Sequence, residues 1–201
     1  MGRFFEPYVG TQYEGGLANG HRLLLIGESH YNEPGCEPCG PEATRQTVES
    51  YLTETPIPFF DYVRDATCGH VRRFANHDFW DRVAFANFIQ RPMPTVSHRP
   101  VPADWSAGIT PFWETIKELK PHLVFMFTSA WGSLPNLAPD GVAERTGPVG
   151  DSDTWLWRYG FADHDVLIAR FYHRSARPNP SIAVWKAWAD HCWNALESQN
   201  A

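Results

Sequence analysis

Glu28, Ser29, His30 and Tyr31 stand in a row in the stretch LLLIGESHY, straight after four aliphatic residues and a glycine. A carboxylate can orient and deprotonate water, a hydroxyl can help hold it, and an imidazole can exchange a proton near neutral pH. Two further segments carry groups of the same kind. In AFANFIQRP, Asn87 offers a donor and an acceptor on one amide, which suits reading the edge of a flat heterocycle. In RFYHRSARP, His173 is followed by Arg174 and Ser175, with Arg177 two residues on. An imidazole there can donate a hydrogen bond to developing negative charge, and guanidinium groups can grip phosphates.

Each polar cluster follows an apolar run, so the elements that position them can be read. Residues 22–27 form a short run of buried-strand type, ended by Gly27. Residues 82–90 and 122–129 read as two more strands, and 164–173 as a further one ending at His173. Between them, 41–54 reads as a helix with Pro41 near its start. Pro56 and Pro58 are expected to break the pattern that follows. Residues 103–121 place Ile109, Phe112, Trp113, Ile116 and Leu119 at helical spacing. The closing helix, 180–198, has an apolar face of Ile182, Trp185, Trp188, Cys192 and Leu196, with Ala189 and Trp193 beside it. Residues 91–102 and 133–152 are rich in proline or glycine and read as loops. Strands alternating with helices predict an α/β protein, a three-layer α/β/α sandwich with a mainly parallel central sheet. Ligands of such folds bind beyond the carboxyl ends of the strands, where all three clusters fall.

The 201 residues fit one domain spanning 1–201, and 43% hydrophobic against 20% charged residues is an ordinary globular balance. No apolar run approaches the roughly 20 residues of a membrane helix, and MGRFFEPYVG lacks the apolar core of a secretory leader. A cytoplasmic protein with no membrane partner is expected. The formal net charge of −6 argues against nucleic-acid binding through bulk electrostatics but leaves room for a local basic groove. Disulfides are not expected in such a compartment. Cys36, Cys39, Cys68 and His70 have the donor types of a tetrahedral zinc site, and a set of reduced thiols fits the same spacing. No metal or other cofactor is assigned.

The segments GESHY at 27–31, NFIQRPMP at 87–94 and YHRSARPNP at 172–180 resemble, in order and spacing, three motifs of the uracil-DNA glycosylase superfamily. The likeness is strongest to the branch whose first motif begins Gly-Glu. LKPHLVFMFTSAWGSL resembles the helix-to-strand element between the motifs, and the resemblance covers roughly residues 20–197. It implies a glycosylase-like fold and a monomer acting on DNA, hydrolysing the N-glycosidic bond of a flipped pyrimidine and leaving an abasic site. Glu28 and His173 then correspond to catalytic groups, Glu28 orienting water near the sugar and His173 donating to the departing base. Asn87 corresponds to the base reader. Ser29, His30, Tyr31, Phe60, Arg174 and Ser175 are the remaining substrate-binding candidates, Tyr31 and the pair Phe59–Phe60 as aromatic faces for the everted base. Ser29 stands where many members have Asp, His30 replaces a usual Pro, and Arg174 replaces the Pro after the motif His. The cysteine spacing differs from that of the iron–sulfur branch, so no cluster is carried over.

The extra His30 and Arg174 suit a poorer leaving group than uracil. A modified cytosine, such as the glucosylated hydroxymethylcytosine of some phage DNA, is the substrate expected, since glycosylases of this superfamily act in phage defence. Two alternatives stand beside it: a non-catalytic reader of modified DNA, and an esterase-like hydrolase using Ser29 and His30.

Overall fold

The computed structural model describes residues 2–32, 39–128, 144–146, 155–173 and 180–198. Along the chain come β1 (Tyr8–Val9), β2 (Leu23–Gly27), α1 (Ala43–Thr53), α2 (Pro58–Thr67), α3 (Asn76–Trp80) and β3 (Val83–Asn87). These are followed by α4 (Pro102–Leu119), β4 (Leu123–Met126), β5 (Glu144–Thr146), β6 (Leu156–Gly160), β7 (Asp165–Arg170) and α5 (Ile182–Glu197). The strands form one mixed sheet in the order β1-β3-β2-β4-β7-β6-β5. Its four central strands, β3, β2, β4 and β7, run parallel, and β1, β6 and β5 add antiparallel edges.

Side chains on successive strand residues point to opposite faces, and the apolar runs are therefore buried on both. Leu23, Leu25, Val83, Phe85, Leu123 and Phe125 share one core with α1, α2 and α5. Leu24, Ile26, Ala84, Ala86, Val124 and Met126 share a second core with Phe112, Trp113 and Ile116 of α4. The handedness of parallel crossovers explains the split. The chain steps from β2 to β3 in one direction and from β3 across β2 to β4 in the other, so helices crossing with the same hand land on opposite faces.

Both long helices carry the faces their periodicity predicts. On α5, Trp185, Trp188, Ala189, Cys192, Trp193 and Leu196 are buried, while Ile182 in the first turn stays exposed. Two buried indoles have partners: Trp188 Nε1 donates to the Arg170 carbonyl at 2.8 Å and Trp193 Nε1 to the Thr67 carbonyl at 3.1 Å. At the start of α4, Asp104 accepts from the Val101 N–H at 2.9 Å and takes both arms of Arg91, at 2.6 and 2.8 Å. This ties the helix to the segment that follows β3.

The structure departs from the sequence pattern in several places. Pro58 does not break a helix but begins α2, because a proline at the first position lacks only an N–H that would have no partner within the helix. The two-residue β1 and the strand β6 were not expected; each is set by pairing with a longer neighbour, Tyr8 with Phe85 and Trp157 with Ile168. The stretch 133–152 contains β5, and the rest of it lies outside the described residues. No described helix is long and apolar enough to cross a membrane.

Candidate functional site

The loops after β2 and β3 are fastened to each other. Phe88 N–H donates to the Gly27 carbonyl at 3.1 Å, Ile89 N–H to Glu28 at 2.9 Å and Met93 N–H to His30 at 2.8 Å; Asn32 N–H returns to Met93 at 2.8 Å. The stretch 27–32 is thus a braced ledge that extends the sheet. Gly27 lies opposite Asn87 in register. A Cβ on Gly27 would stand 2.4 Å from Asn87 Oδ1 and 2.8 Å from the rim of Phe85. The Asn87 amide oxygen therefore lies over Gly27, on the same face of the sheet as Phe85. Asn87 is buried.

β2 is flanked by β3 on one side and β4 on the other, so the chain reverses direction across the sheet here, the place where open α/β sheets bind ligands. The ladder runs past β4 and β7: Phe127 N–H bonds the Ile26 carbonyl at 2.8 Å and Phe171 N–H the Met126 carbonyl at 2.9 Å. Phe127 and Phe171 belong to the same core as Phe85. His173 lies two residues beyond Phe171, and its imidazole stacks on Phe59, centroids 5.2 Å apart with 23° between planes. The Phe59 ring also meets Phe85 and Phe127 edge-on, each at 6.4 Å. Tyr62, one turn along α2, donates to the Tyr172 carbonyl at 3.4 Å. The first turn of α2 thus positions His173 through a ring contact and a backbone bond. Burial, and secondarily the Arg99 guanidinium, push the His173 pKa below the ordinary histidine value and favour the neutral imidazole. Glu28 and Ser29, both half-buried, continue directly from Gly27. Ser29 Oγ is buried and has no hydrogen-bond partner among the described residues.

Several expected site residues lie elsewhere. His30 is buried, its Nε2 2.9 Å from Thr44 Oγ1 of α1 and its ring edge-on to Phe5 at 4.8 Å. With Nε2 on Thr44, its ring is not hydrogen-bonded to Ser29 Oγ. Tyr31 packs on the opposite, α4 side of the sheet and pairs through its backbone with Met93. Phe60 is 3% exposed and sits inside the core, within 5.2 Å of Tyr51, Phe85 and Trp80. Its neighbour Phe59 is the ring that reaches the strand tips, because adjacent helical residues point about 100° apart. Arg174 and Ser175 lie outside the described residues, as does Cys36. Cys39 Sγ rests 3.4 Å from the Tyr31 carbonyl, whereas Cys68 is buried beyond the end of α2, its thiol pKa pushed up to about 12 by burial. His70 Nδ1 meets Asp190 at 3.1 Å. Among the described residues no group of three His, Cys, Asp or Glu side chains is placed to hold a metal ion.

Burial pushes the His30 pKa down from 6.5 to about 4. Between those values the unfolded chain binds a proton that the native chain refuses, so stability rises with pH across this window and is flat above it. Acidification from pH 7 to 4 is expected to cost about 3 kcal/mol through His30 alone. Urea midpoints at several pH values should show this slope, and a His30→Gln protein should lose most of it. An unaltered slope in that variant would refute the assignment.

The geometry brings Asn87, His173 and Phe59 to one side of the sheet, at the tips of β3, β2, β4 and β7. Phe59 was legible only as half of an aromatic pair, and the proximity of Arg99 to His173 carried no sequence signal, since 74 residues separate them. An amide, an imidazole and an aromatic face in one place can recognise a flat heterocycle and donate to it, while the adjoining carboxylate and hydroxyl can hold water. No protein-family model matches the chain, and no curated protein matches it.

Proposed function

We propose that this chain is a DNA glycosylase that hydrolyses the N-glycosidic bond of an everted pyrimidine and leaves an abasic site. The supporting observation is the meeting of Asn87, His173 and Phe59 on one face at the strand reversal, beside Glu28 and Ser29. The order of the three motifs and the 3-2-4-7 arrangement of parallel strands support a uracil-DNA glycosylase-like arrangement of the same groups. In this reading Asn87 pairs with the base edge and His173 donates to the base as its bond to C1′ breaks and negative charge develops. Water held by Glu28 and Ser29 attacks C1′ and loses its proton to the carboxylate. The chain has three lysines, Lys117 and Lys120 at the C-terminal end of α4 and Lys186 on α5, away from these tips, which favours water over an amine as nucleophile.

The substrate class proposed is a modified pyrimidine, with glucosylated hydroxymethylcytosine as the leading case. Purified protein incubated with duplexes containing uracil, a thymine mismatch or glucosylated hydroxymethylcytosine should release the modified base and leave alkali-sensitive breaks. Release from uracil alone would end the modified-cytosine reading. Tight binding to a modified duplex with no release from any would favour the non-catalytic reader, which keeps Asn87 and His173 for recognition only.

A further inference from the structure

We infer that Gln90, held in place by the N-terminal arm, is a positioning residue that sets the angle of the Asn87 amide; this rests on the reading of Asn87 above. Gln90 Nε2 donates to the Asn87 carbonyl at 2.7 Å. Its Oε1 accepts the N–H of Phe4 and the N–H of Phe5, each at 3.0 Å. The reverse orientation of the carboxamide would set donors against donors and oxygen against oxygen, so the bonding fixes which end is which. The peptide between Asn87 and Phe88 is then gripped at both ends, its carbonyl by Gln90 and its N–H by the Gly27 carbonyl at 3.1 Å. Fixing that plane fixes the Asn87 ψ angle, and Gly27, lacking a Cβ, leaves room for the side-chain amide over it.

The arm ties this grip to both loops. Phe5 is buried and its ring touches His30, so residues 4–5 contact both the β2 loop and the β3 loop. Phe4 is exposed, and residues 2–4 border a cleft of about 360 Å³ with Ile89, Gln90 and Arg91 on the other side. Besides the Gln90 bonds, the arm is held by Arg3, which pairs with Glu118 of α4, and by the Glu6 N–H, which donates to the Pro41 carbonyl at 2.9 Å. Asn87 is thereby coupled to a segment more than eighty residues away in sequence.

Gln90→Glu and Gln90→Met separate the two halves of the bridge. Glutamate keeps an acceptor for Phe4 and Phe5 but sets an oxygen against the Asn87 carbonyl; methionine loses both halves. Both variants should show a shifted Asn87 side-chain amide resonance, whereas the Phe4 and Phe5 amide resonances should show loss of their hydrogen bonds only in Gln90→Met. With a duplex from which the parent releases base, both should lower kcat about tenfold, equivalent to one net hydrogen bond, with KM within about twofold. An unmoved Asn87 resonance in Gln90→Glu overturns the coupling, and an unchanged kcat in that variant overturns the positioning role. If the parent releases no base from any duplex, the glycosylase reading has failed, and the Asn87 resonance alone then decides the coupling.

Discussion

Base release by a His173→Ala protein is expected to be slower than the parent's by about 100- to 1,000-fold, the effect of removing one donor aimed at developing negative charge. His173 is held from two directions, stacking on Phe59 while its preceding carbonyl accepts from Tyr62, and Arg99 in the loop after β3 disfavours its charged form. A group fixed this way needs little reorganisation as the base departs, which is what distinguishes a catalytic donor from a surface imidazole. The depressed pKa adds a pH signature. Above its folded pKa the ring is neutral and as pH falls through that value it charges, so the acid limb of the rate profile should follow the titration of His173. Arg99→Gln should move that limb to higher pH, because one of the causes lowering the pKa is gone. Single-turnover release measured from pH 4 to 8, with thermal midpoints alongside, checks both points. A His173→Ala protein that is folded and as fast as its parent would remove His173 from the chemistry, and with it the proposed reaction at this site.

Gly27→Ala is expected to have the second large effect. The new methyl would stand 2.4 Å from Asn87 Oδ1 and 2.8 Å from Phe85, far inside contact distance. Phe85 is buried against Phe59, Phe60 and Trp80 and has little room to retreat, so the amide must turn away. Such overpacking costs about 1–3 kcal/mol of stability. Loss of the proposed base-edge pairing of Asn87 is expected to cost about the same in recognition, roughly 5- to 150-fold in base release. Because both substitutions act through one amide, adding Gly27→Ala to Asn87→Ala should slow release little further. Measured rates of the two single variants and the double variant decide it. Independent, multiplying losses would show that Gly27 serves something other than Asn87.

Much of the fold was written in local pattern. The four parallel strands are predominantly apolar runs, which a sheet covered on both faces buries. The stripes of α4 and α5 follow helical spacing closely enough to name most of their core residues, Ile182 being exposed. What failed locally were features that depend on a partner. β1 is two residues long, and β6 forms where it pairs with β7. Pro58 reads as a breaker until its position as the first residue of α2 is known.

The candidate site divides along the same line. The sequence by itself determined that Glu28, Asn87 and His173 follow apolar strands, and hence that they lie at one end of a parallel sheet. It could not determine which side of the sheet they face. That follows from register: Gly27 opposite Asn87 sets the amide on the α2 side, and a slip of one residue would have turned it to the α4 side. Tertiary contacts also decided that Phe59 and not Phe60 lines the tips, that Tyr31 packs away from them, and that His30 is bound to Thr44. Strand direction is a property of a segment and can be read from it; the meeting of side chains from four strands and a helix depends on pairing and packing between distant segments, which no single segment encodes.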